Sequence, residues 1–160
     1  MGRDEFEELY QRYYRPLFLY AYALTRSTED AEDLVADAFV KVMTAFPGGN
    51  IRAWMYKVLR NQFFDLKRKQ KREQDWDAGL DGAWTEDVLQ LYIKSEERQW
   101  LYRQINALPE REREVMLLTI QTDYGDQEIG DILGLTVSHV RVLRHRAKGR
   151  IIKQSEEEGI

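Results

Sequence analysis

The sequence predicts an all-α protein of two small helical domains joined by an acidic linker, the C-terminal domain a helix-turn-helix. Three observations predict it. Apolar residues recur three and four apart along most of the 160 residues, and no stretch alternates convincingly as a strand would. Breaks fall where turn chemistry is strong, at Pro47-Gly48-Gly49-Asn50, at Leu108-Pro109 and at Gly134. Glu73 to Asp87 then holds six acids, Gly79 and Gly82, and neither lysine nor arginine. Domains are therefore expected over residues 1–73 and 91–154, with 74–90 as the linker.

Taken in order, Asp4 to Leu24 has one apolar face of Phe6, Leu9, Tyr10 and Tyr13 and a second of Leu17, Tyr20, Ala21 and Leu24. Pro16 lacks the N–H that a helix interior needs, so it predicts a break and a new first turn there. Ser27 to Phe46 is the clearest amphipathic helix of this half. Ser27 with Asp30 resembles a capping box, and Glu29, Asp30, Glu32 and Asp33 load the positive end of the helix dipole. Ala31, Leu34, Val35, Ala38, Val42 and Phe46 form its buried stripe. Asp33, Asp37, Phe39, Val40 and Lys41 are left for the surface.

Ile51 to about Arg72 is a third long helix, with Trp54 or Met55, Val58, Leu59, Phe63 and Leu66 at helical spacing. Its far end is almost entirely cationic, and like charges four apart repel, so an anion is expected to steady it. Trp54, Tyr56, Phe63 and Phe64 interleave with the bases, a combination that suits unstacked single-stranded nucleic acid, although core packing accounts equally well for an aromatic such as Trp54. Trp76 and Trp84 argue against complete disorder in the linker. A helix is expected from Val88 to about Ala107. Pro109 stops it and opens the next, Glu110 to about Ile120.

Asp126 to His145 carries the sharpest local pattern. Ile129, Ile132 and Leu133 make one stripe, Gly134 interrupts it, and Val137, Val140 and Leu143 make another. Two short helices around a glycine turn are the helix-turn-helix plan, with Gly130 small at the crossing, Gly134 suited to positive φ and Thr136 as a cap. The second helix presents Ser138, His139, Arg141, Arg144, His145, Arg146 and Lys148 mostly away from its apolar face, as reading a major groove requires. An ordinary αα corner with a solvated charged face shares part of this pattern. Gly149 weakens the helix beyond, and Ser155 to Ile160 is expected to fray.

The formal charge of −4 conceals a segregation. Arg52 to Arg72 holds eight Lys/Arg against one acid, Asp65, and Arg141 to Lys153 holds six against none. Two basic patches on an otherwise acidic chain suggest two nucleic-acid contacts and a partner for the acidic surface. No run approaches the ~20 apolar residues of a membrane span, so no membrane insertion is expected, and no signal peptide is apparent. The absence of cysteine excludes disulfides and thiolate metal sites, and fits a reducing cytoplasm. His139 and His145 stand six apart, not the four that lets two imidazoles share a metal, and no glycine-rich phosphate loop occurs. No enzyme activity, cofactor or metal is expected.

Four stretches then become specific in combination: AEDLVADAFVKVM (31–43), WMYKVLRNQFFDLKRKQKR (54–72), LPEREREVMLL (108–118) and QEIGDILGLTVSHVRVLRHRA (127–147). In this order and spacing the chain resembles a bacterial RNA polymerase sigma factor of the extracytoplasmic-function (ECF) group. With the weaker FEELYQRYYRPLFLYA (6–21), the resemblance covers about two thirds of the sequence.

The resemblance implies a transcription initiation factor that binds core RNA polymerase and directs it to promoters. The 31–43 helix would dock on the clamp of the largest polymerase subunit through Asp33, Asp37, Phe39 and Val40. The 50–72 segment would open and read the minus-ten element through Asn61, Phe64, Asp65, Lys67, Arg68, Lys69, Lys71 and Arg72. The helix-turn-helix would read the minus-thirty-five element, and an anti-sigma protein is a further partner the family admits. The chain departs from the family pattern at Ala36, where glutamine is frequent, at Gly130, usually alanine, and at Asp126, where an aromatic or hydrophobic residue is common. No N-terminal extension or extra C-terminal domain is expected. Two rivals are a stand-alone helix-turn-helix regulator that ignores polymerase and a sigma-like decoy that binds an anti-sigma protein but not DNA. The 31–43 and 54–72 motifs argue against the first, and the intact basic helices argue against the second.

Overall fold

The computed structural model describes the backbone of residues 1–73 and 86–160 and the side chains of 1–70 and 87–160. Every ordered element among them is a helix. The helices fall into two units, one holding α1 (Arg3–Thr25), α2 (Thr28–Ala45) and α3 (Ile51–Glu73), the other α4 (Glu86–Tyr92), α5 (Glu96–Asn106), α6 (Glu110–Gln121), α7 (Asp126–Leu133) and α8 (Val137–Glu158). The expected linker tryptophans, Trp76 and Trp84, lie outside the described residues.

In the first unit all three helices pack on one another. α1 runs through Pro16 without a break, against the sequence expectation. The missing N–H is one lost bond, whereas Leu17 to Ala23 are buried without exception. Burying apolar side chains at ~1.5–3 kcal/mol each outweighs the ~3 kcal/mol cost of an interior proline. Ser27 caps α2 as expected, its hydroxyl accepting from the Asp30 amide at 3.2 Å. Gly48 and Gly49 take positive φ in the following turn, which suits residues with no Cβ. Asn50 then caps α3, its side-chain oxygen accepting from the Ala53 amide at 3.0 Å. Met55, Tyr56 and Leu59 anchor α3 in the core, and the Tyr56 ring meets Tyr20 edge-on with centroids 5.1 Å apart. Trp54 is half-buried against Phe46. The cationic end stays helical to Glu73.

In the second unit the stretch expected as one helix is two. Ser95 explains the division, because its hydroxyl accepts from the Arg98 amide at 3.3 Å and starts α5 afresh. Gln99 closes the corner by donating to the Ile93 carbonyl at 2.7 Å. Residues 86–90, expected as linker, form most of α4, with Val88 and Leu89 buried. Pro109 precedes α6 as anticipated, and α6 packs on α5, α7 and α8. α8 continues through Gly149 to Glu158. Gly159 ends it in the left-handed region, and Trp100 Nε1 donates to Glu158 at 2.6 Å, so the expected fraying does not occur.

Candidate nucleic-acid interface

The helix-turn-helix is built tightly. Gly134 caps α7 at φ 70°, and the Leu135 amide donates to the Gly130 carbonyl at 2.9 Å. A Cβ on Gly130 would collide with the Leu135 carbonyl oxygen but meet Val140 of α8 only at ordinary contact distance, so the glycine is set by the turn and not by the helix crossing. Thr136 accepts from the His139 amide at 3.1 Å and starts α8. Val140, Leu143 and Ala147 are buried against the supporting helices. Ser138, His139, Arg141, His145, Arg146 and Lys148 are exposed around the remainder of α8.

Arg144 is the exception. Its side chain is 18% exposed and turns inward, donating to Asp126 and, at 3.3 Å, to Thr119 Oγ1 on α6. The expectation that Arg144 is offered to DNA is corrected: its position beside Val140 and Ala147 makes it a brace between α6, α7 and α8. Arg141, 70% exposed, donates from Nε to the other Asp126 oxygen at 2.9 Å. These bonds hold the Asp126 carboxyl below the ordinary carboxylate range, Arg144 contributing most. Further along, Arg150 reaches buried Glu112 of α6 at 3.3 Å. Sequence reasoning sees Asp126 only as an unusual residue at its position. Its partners lie fifteen and eighteen residues away and are found only once the two helices cross.

On α3, Asn61, Asp65, Arg68 and Lys69 are exposed and share one side by helical spacing, opposite buried Met55, Tyr56 and Leu59. Arg68 pairs with Asp65 one turn before it. The Phe64 ring is half-buried, with the Arg60 guanidinium 4.6 Å from its centroid and Lys67 Nζ at 5.9 Å. Among the described residues, Arg60, Asn61, Phe64, Asp65 and Arg68 line an open depression. Tyr56 is fully buried and is no part of this surface. The side chains of Lys71 and Arg72 lie outside the described residues.

On α2, Asp33 is exposed and Val40 is 59% exposed, with Met43 also out in solvent. Asp37 is half-buried and pairs with Lys41 at 3.0 Å. Phe39 is corrected: it is 3% exposed, packed against Phe6 at 5.9 Å and Tyr10 at 5.0 Å between centroids. Packing by α1 and α3 together widens the buried stripe of α2 beyond the positions its spacing alone suggests. Among the described residues no group of His, Cys, Asp or Glu could hold a metal, and no helix is long and apolar enough to cross a membrane.

A basic helix in a helix-turn-helix on one unit and a basic, aromatic-bearing helix on the other are the features of a nucleic-acid-binding protein. Residues 9–73 match the model of Sigma-70 region 2, and residues 98–151 match Sigma-70, region 4. The RNA polymerase sigma factor YlaC of Bacillus subtilis is 30% identical, the alignment covering 99% of this chain and 98% of that one. The ECF sigma factor SigM of the same organism is 24% identical, with 91% of each covered. The sigma factor RpoE of Bartonella quintana, solved in complex with the anti-sigma factor NepR, has the same fold at a TM-score of 0.71 and 23% identity, over 93% of this chain and 95% of that one. The chain belongs to the ECF-type RNA polymerase sigma factors, non-enzymatic factors that direct RNA polymerase to promoters.

Proposed function

We propose that the three surfaces divide the work of initiation within this chain, over domains at 1–73 and 91–154. The α2 face bearing Asp33, Asp37 and Val40 docks on the clamp of the largest polymerase subunit. Asp33 is the chief electrostatic contact there, since Lys41 already neutralises Asp37. Ser138, His139, Arg141, His145, Arg146 and Lys148 of α8 read the minus-thirty-five duplex. Asn61, Phe64, Asp65, Lys67, Arg68 and Lys69 of α3, continued by Lys71 and Arg72, read and open the minus-ten element.

The observation that carries the reading is the polar ridge of α3. Asn61, Asp65, Arg68 and Lys69 stand on one side of a helix whose preceding turns are anchored in the core by Met55, Tyr56 and Leu59. A ridge held that firmly can offer donors and acceptors to unstacked bases beside a phosphate track. Arg60 and Lys67 lie over Phe64, so a base that stacks on this ring must displace one of them.

The test is reconstituted run-off transcription with core polymerase, on paired promoters and on templates with a pre-melted bubble. Phe64→Ala and Asp65→Ala are expected to lose more activity on the paired templates, because pre-melting already meets an unpairing cost of a few kcal/mol. Equal losses on both templates rule out a role in opening. The Bartonella quintana RpoE structure contains the anti-sigma factor NepR, and that of CnrH contains the cytosolic domain of CnrY. A similar protein covering the α2 face of this chain would block clamp docking.

A further inference from the structure

We propose that Asp126 is a positioning residue for promoter specificity: fixed in place by Arg144, it holds Arg141 and withholds that recognition-helix cation from indiscriminate phosphate binding. The inference rests on the reading of α8 as the duplex-reading helix. Asp126 is the first residue of α7, and both its oxygens are used, one by each guanidinium. The two arginines are not held alike. Arg144 is mostly buried and has a second acceptor, Thr119, so it stays in place. Arg141 is mostly exposed and has the single bond to Asp126, so DNA can compete for it.

The competition discriminates by magnitude. An exposed ion pair is weak and screened by solvent. A bidentate arginine–base contact is stronger and depends on the base. On the right sequence Arg141 gains by leaving Asp126 for a base edge. On the wrong sequence a phosphate offers no more than Asp126 does, and Arg141 stays.

The experiment measures holoenzyme binding to a duplex carrying the upstream element selected by run-off transcription, and to a scrambled duplex, across a salt series. Asp126→Asn is expected to tighten binding to the scrambled duplex about five- to tenfold and steepen its salt slope by about 0.9, the release expected for one added phosphate contact. Its preference for the selected element falls. Asp126→Glu, which keeps the carboxylate, retains the parent slope. Arg141→Gln gives an independent arm: it weakens binding to the selected element but leaves the scrambled-duplex slope unchanged, because Arg141 is not on phosphate there. A folded Asp126→Asn with the parent slope overturns the proposal, and so does a shallower scrambled-duplex slope in Arg141→Gln. A parent holoenzyme that makes no distinction between the two duplexes overturns the reading of α8 itself, before any variant is compared.

Discussion

α3 and α8 carry similar runs of cations, and the protein meets the repulsion within each run differently. On α8 the answer comes from other helices: Asp126 at the start of α7 takes Arg141 and Arg144, and Glu112 on α6 takes Arg150. On α3, Arg52 lies over Tyr13 of α1, while the contacts around Phe64 are local. Asp65 pairs with Arg68, and Arg60 and Lys67 lie over Phe64, all within about two turns of one helix. A cation run braced by neighbouring helices has part of its charge taken up before DNA arrives, which suits reading a regular duplex. Cations that lie over aromatic faces keep their charge for phosphate, which suits capturing strands as they part. The presence of a cation run alone, common to both, does not distinguish these uses.

The comparison breaks most severely at the buried end of α3. Tyr56→Ala removes an aromatic that is fully buried against Tyr20, and such truncations cost ~3–5 kcal/mol. Denaturant unfolding should show a loss of that size, with the helicity of the first unit lost at lower denaturant than in the parent. A loss under ~1 kcal/mol would mean that the core does not hold the α3 ridge. On α8, Arg146→Ala leaves the buried face intact and should remove ~1–3 kcal/mol of discrimination in the upstream element alone. Competition binding against single-base variants of that element measures it, and a change confined to the downstream element would reverse the assignment of domains.

Local chemistry was the legible part of the fold. Ser27, Gly134 and Thr136 act within four residues of themselves, and each caps or turns as its side chain dictates. Pro16, Phe39 and Arg144 depend on what packs against them, and periodicity says nothing about that. Ser95 followed by Glu96 and Glu97 starts α5, yet Ser155 followed by glutamates lies in the last turn of α8, so the pattern alone does not fix a helix start. The two reading surfaces follow from charge runs in the sequence. The tie between Asp126 and the recognition helix required the crossing of α7 and α8.

A smaller effect sharpens the contrast through salt. Lys69→Gln removes an exposed cation of the α3 ridge, so binding to single-stranded minus-ten DNA should lose about 0.7 of salt slope if that cation meets one phosphate. Arg150→Gln on α8 should leave the duplex slope unchanged, because its cation is committed to Glu112. Parallel salt titrations of the two holoenzyme variants decide the point. Equal slope losses would show that neutralisation by neighbouring helices does not remove a cation from the phosphate track.

The smallest expected effect is in acid. Asp126 has its folded pKa lowered from the ordinary 3.8, chiefly by Arg144 and then by Arg141. A lowered folded pKa means that the unfolded chain binds the proton more readily. The stabilisation is therefore complete above the ordinary value and is lost as pH falls through the lower, folded one. Glu158 is lowered too, by Gln154 first and Trp100 second, and its contribution fades with the same sign. Comparing the parent with Asp126→Asn isolates the brace, because both proteins keep Glu158. The difference between their thermal midpoints should be constant from neutral pH down to about pH 5 and shrink toward zero below the ordinary aspartate value. A difference that persists undiminished at the lowest pH where both still fold would mean that the Asp126 charge contributes nothing to holding α7 on α8.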